Sequence, residues 1–197
     1  MILQRIKGVF SLTRDVLREI EEDESATGQA ALIVLAVALL AGAGAAIGVV
    51  MGATAAQSLA ELAGDVNLPA LMTPSFGALG AFFNAFLVTF ISWIVWSLVT
   101  YAIGVNLFHG EATIGEMLRV IGYAQAPRLL SAFVFIPCLG ALLSLVGWVW
   151  AIVASFIAIQ EGLDLDGGKS LVTILLSIVV VIIINAFLIG PILNFVF

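Results

Sequence analysis

The chain of 197 residues is 62% hydrophobic and 10% charged, whereas a soluble domain is roughly 45–50% apolar and 25% charged. Water is therefore not the solvent for most of its surface, and apolar runs of spanning length leave no room for a separate soluble core. The net charge of −6 comes without a basic patch interleaved with aromatics, which excludes nucleic-acid binding, and neither the single Cys138 nor the single His109 offers disulfide or metal-ligand spacing. No metal and no cofactor is expected.

The first 23 residues lack the apolar stretch and small-residue cleavage site of a signal peptide, so the first span is expected to act as an uncleaved targeting signal. Ile2, Ile6, Phe10, Leu17 and Ile20 recur at helical spacing, with Arg5, Lys7, Arg14, Arg18 and Glu19 on other faces. This predicts an amphipathic helix within an N-terminal segment, residues 1–29. Such a helix either lies on the inner leaflet with its cations near anionic headgroups or packs against the protein's own loops. The acidic run Glu21, Glu22, Asp23, Glu24 weakens the pull toward lipid.

Residues 30–197 read as one membrane domain. Spans are predicted over 30–53 and 78–105, both free of charge, joined by a polar connection carrying Glu61, Asp65, Pro69 and Pro74. The run 118–160 is too long for one crossing of roughly 30 Å at 1.5 Å per residue, and Pro137-Cys138-Leu139-Gly140 supplies a break, giving spans three and four. A fifth span covers 170–195. The fold expected is an all-α five-helix membrane bundle with an N-terminal amphipathic helix. Arg5, Lys7, Arg14, Arg18, Arg119 and Lys169 all fall on one side of it, which places the N-terminus in the cytoplasm and the C-terminus outside. Trp93, Trp96, Tyr101, Trp148 and Trp150 lie within or toward the ends of spans, where interface-seeking aromatics occur and where some must pack between helices.

Catalytic constellations are lacking. His109 sits in a loop far from Cys138 and on the opposite face, so no imidazole reaches a nucleophile, and an enzyme is not expected. Asp164 and Asp166, with Glu161 nearby and Gly167-Gly168 after, lack the further ligands of a cation loop and read as a solvated turn. Gly44, Gly48 and Gly52 share one face of span one, a strip that admits a close helix neighbour, internal or from a second copy. The stretch around Tyr123, Gln125, Pro127 and Arg128 is the candidate polar site. An Arg ten residues into a span costs at least about 2.5 kcal/mol and must face the bundle interior, a wet cavity or an interface. Pro127 leaves the carbonyl of Tyr123 without its helical donor. One reading is a substrate, ion or lipid-headgroup site with Asn84 or Glu161 as partners. The other is that span three starts later and Arg128 marks its cytoplasmic end.

The sequence Glu24-Ser25-Ala26-Thr27-Gly28-Gln29-Ala30 entering span one, Gly122-Tyr123 followed by Pro127 in span three, and the five-span layout resemble the Yip1-domain family in its compact prokaryotic form. The resemblance implies a non-enzymatic multispan protein of a cell membrane, of a kind whose eukaryotic members shape membranes and assist vesicle trafficking with Rab-type GTPases and with one another. The partners it implies are the bilayer, further copies of the chain or other membrane proteins. No Asp-Leu-Tyr-Gly-Pro segment is present, so GTPase binding is not carried over. A small-solute or ion transporter or channel using the Arg128 region is the competing expectation.

Overall fold

The computed structural model describes residues 2–63, 77–134, 136, 139–189 and 191–192, with backbone alone for 55–63. Pro137, Cys138 and residues 64–76, with Asp65, Pro69 and Pro74, lie outside the described residues. Among the described residues every regular element is helical. In chain order these are α1 (Ile2–Phe10), α2 (Arg14–Glu22), α3 (Ala26–Ala63), α4 (Gly77–Phe108), α5 (Ile114–Ala124), a 3-10 segment (Ala126–Phe133), α6 (Leu139–Gly162), α7 (Gly167–Ile184) and a π segment (Asn185–Ile189).

Four helical stretches are long and apolar enough to cross a membrane: Ala26–Thr54, Gly77–Phe108, Leu139–Gly162 and Gly167–Ile189. They correspond to predicted spans one, two, four and five. The predicted third span is not one continuous α-helix. A capping box starts α5, with Thr113 Oγ1 accepting from Glu116 N at 3.3 Å and Glu116 Oε2 accepting from Thr113 N at 2.6 Å. Pro127 then removes a donor, and the chain tightens to 3-10 bonding, with Arg128 N donating to Gln125 O at 2.9 Å. This broken element runs antiparallel along α6, because α6 carries three glycines that admit it. Gly162 faces Val120, Gly147 faces the Pro127 carbonyl and Gly140 faces the Phe133 carbonyl. A Cβ on Gly147 would stand 2.5 Å from that carbonyl oxygen.

The predicted amphipathic helix is two helices. Leu12 adopts φ 54°, which reverses the chain, and Gly8 lets α1 close on Val16 of α2. Val9, Leu17 and Ile20 are fully buried, and Ile2, Ile6 and Phe10 join the same core. Their apolar faces meet α5, α6 and the 3-10 segment, so this region packs against the protein's own helices.

One end of the bundle gathers α1–α2, the start of α3, the end of α4 and the α6–α7 turn. Glu111 N donates to Leu163 O at 3.1 Å there, and Asp166 caps α7 by accepting from Lys169 N at 3.0 Å. Since α7 leaves from this end, its C-terminal turn lies at the other. Consistently, Asn185 Oδ1 accepts from Ser92 Oγ at 3.1 Å, about 24 Å up α4 from Phe108 at 1.5 Å per residue.

Candidate functional site

Two polar assemblies stand out, one at bilayer depth and one at the α1–α2 end. The first is a cavity of about 250 Å³ where α3, α4, α6, α7 and the 125–128 junction meet. On α4 its lining follows helical spacing, Thr89, Ser92, Trp93 and Trp96, which places one hydroxyl- and indole-bearing stripe on the cavity wall. Val34 and Val37 of α3 and Ile174 and Ile178 of α7 supply apolar walls. The 3-10 turn brings Gln125 and Arg128 onto the same cavity, where Arg128 Nη1 donates to Gln125 Oε1 at 3.1 Å. Pro127 is buried beside Gly147, about 22 Å along α6 from Gly162, so Arg128 lies well inside the span region.

Two indoles in this cavity differ in their partners. Trp93 Nε1 donates to Leu118 O at 3.2 Å, while the buried Trp96 Nε1 meets no acceptor among the described residues. Trp148 and Ile152, both exposed on α6, form the outer rim, so the cavity is entered from the flank of the bundle.

The second assembly clasps α1–α2 to the bundle. Glu161, 7% exposed, accepts from Arg14 Nη1 and Arg18 Nη2, each at 3.0 Å. Arg119, also buried, donates through Nε and Nη2 to the carbonyl of Glu21, and Tyr123 Oη donates to Gln29 Oε1 at 2.5 Å. Arg5, 3% exposed, binds Glu19 at 2.9 Å and Asp23 at 2.6 Å. Burial lowers the Arg5 pKa, but the hydrogen bonds to Asp23 and Glu19 outweigh it and leave the group above its ordinary value. Hydrogen bonds from Ser25 and Arg5 hold Asp23 down at about 2. Glu21 moves the other way, up to about 7, because burial and then the like charges of Asp164 and Glu116 oppose its ionisation.

The four candidate site residues thus divide. Gln125 and Arg128 line the cavity, Pro127 builds the turn that aims them, and Tyr123 belongs to the clasp on the far side of α5. Glu161, one expected partner of Arg128, is instead held by Arg14 and Arg18; Asn84 does not line the cavity. A Cβ at Gly44, Gly48 or Gly52 would meet no described atom within 4 Å, and the close approach on α3 is made by Gly42, against Phe82 at 2.9 Å. Asp164 is an exposed turn residue, and among the described residues no three His, Cys, Asp or Glu side chains group to hold a metal.

The sequence segments Glu24–Ala30 and Gly122–Pro127 meet at this clasp: Gly122 packs on Ala30 and Trp93, and Tyr123 reaches Gln29. No curated protein and no solved structure matches the chain. The family model of the Yip1 domain matches residues 7–189, nearly its whole length, and with its apolar spanning helices the chain belongs to the Yip1 family of multi-pass membrane proteins.

Proposed function

We propose that the chain is a non-enzymatic organiser or interaction scaffold of a prokaryotic cell membrane, crossing it five times with α1–α2 in the cytoplasm. The observation that carries this reading is the clasp. Ion pairs and carbonyl bonds fix two amphipathic helices across one end of the bundle, giving a rigid polar platform whose exposed groups include Lys7, Asp15, Glu22 and Glu24. A platform of this kind suits contact with lipid headgroups, other membrane proteins or another copy. The fifth crossing is the broken one: eleven α-helical residues and eight 3-10 residues reach about 33 Å, enough for roughly 30 Å of hydrocarbon. The six cations Arg5, Lys7, Arg14, Arg18, Arg119 and Lys169 belong to the clasped end, which favours that end as cytoplasmic.

Reconstitution into vesicles tests the scaffold reading. Vesicle diameter and shape should change with protein density, and loosening the clasp by Arg14→Ala with Arg18→Ala should abolish the change; unaltered vesicles at high protein density contradict it. The cavity at bilayer depth favours a second reading, a small-solute or ion transporter. Flux through proteoliposomes that disappears in Arg128→Ala supports that alternative.

A further inference from the structure

We propose that the Arg128 cavity binds an oxyanion carried on an apolar chain, such as a long-chain carboxylate or a long-chain phosphate monoester taken from the bilayer. This rests on the chain lying in a membrane and not on the scaffold reading. A guanidinium at this depth is stable only against an opposite charge or a dense set of acceptors. Gln125 supplies one acceptor, and among the described residues no carboxylate reaches Arg128, the nearest expected one, Glu161, being held by two other arginines.

Arg128 Nε and Nη2 have no hydrogen-bond partner among the described residues and remain accessible on the cavity. Buried donors are normally paired. A guanidinium with unpaired N–H groups fits a group that only accepts and does so through several lone pairs, which describes a carboxylate or phosphate. A cation is repelled by Arg128. A plain hydrocarbon tail leaves the guanidinium donors unmatched, and a bare inorganic anion surrenders its hydration shell to Val34, Val37, Ile174 and Ile178 without return. An oxyanion on an apolar body satisfies both halves of the lining. The rim at Trp148 and Ile152 opens toward the flank from which such a molecule arrives.

Three of the four tryptophans line the cavity, so their fluorescence reports occupancy. Purified protein in neutral detergent is titrated with dibromostearate and, separately, with its methyl ester. The acid should quench saturably and the ester only linearly. Arg128→Gln should remove the saturable phase, and Arg128→Lys should retain part of it. Arg128→Lys decides the matter even if Arg128→Gln fails to fold, since the ammonium keeps the charge but loses the planar fork and should bind the acid less tightly than the wild-type protein. Competition by oleate, by a long-chain alkyl phosphate and by inorganic phosphate then names the source. Displacement by either amphiphile supports the site. Equal quenching by acid and ester, unchanged affinity in Arg128→Lys, or displacement by inorganic phosphate as effective as by the amphiphiles overturns it.

Discussion

The Glu161 clasp makes an asymmetric prediction. Glu161 is buried, whereas the side chains of Arg14 and Arg18 are 57% and 60% exposed. Replacing both arginines by alanine strands a buried carboxylate, and breaking a buried pair from that side costs about 3–5 kcal/mol. Glu161→Gln removes the charge but leaves two arginines that water can solvate. The surviving amide still accepts a hydrogen bond, and exposed ion pairs are worth only about 1 kcal/mol or less each, so this change should cost about 1–2 kcal/mol. The triple variant should therefore be more stable than the Arg14→Ala, Arg18→Ala protein, the neutral glutamine having rescued the stranded site. Unfolding in mixed micelles with added denaturant, run as a cycle on all four proteins, measures these differences. Refutation would be a double arginine variant no less stable than Glu161→Gln, or a triple variant as unstable as the sum of its parts.

Further outcomes follow from single contacts. Gly147→Ala should destabilise by about 1–3 kcal/mol, since its Cβ would press on the Pro127 carbonyl, while Gly48→Ala should be neutral by the same melting assay because no described atom is near. Thr173→Val should leave stability unchanged or raise it by up to about 1 kcal/mol, its buried hydroxyl having no partner among the described residues. Glu21, raised from 4.5 to about 7, binds its proton more tightly when folded. It should make stability fall as pH climbs from about 4.5 to 7, a slope that Glu21→Gln flattens in melting curves across that range. Asp23, lowered to about 2, acts oppositely, its support being lost below about 4.

Hydropathy made the four long spans legible, because a helix free of charge over 20 residues has no other solvent to suit it. The broken third element was only half legible. Pro127 signalled a lost donor, but the length of the 3-10 continuation depends on the glycine face that α6 offers, which is tertiary information. The reversal at Leu12 carries no Gly or Pro, so the periodicity of residues 2–20 read as one helix when it is two. Arg128 and Gln125 were visible as costly residues. Their cavity neighbours lie in the spacing of Thr89, Ser92 and Trp96, a stripe that reads as ordinary membrane packing until the 3-10 turn brings Arg128 onto the same cavity. The pairing of Glu161 with Arg14 and Arg18 joins positions more than 140 residues apart, and local sequence gives no hint of it.

The central claim is that the broken α5–3-10 element completes a fifth crossing, so that the clasped end and the C-terminus face opposite sides. A reporter active only outside the cytoplasm, fused in turn after Glu161 and after Phe197, tests it. Activity is expected after Phe197 and none after Glu161. Inactivity at both positions, or activity at Glu161 alone, would contradict it.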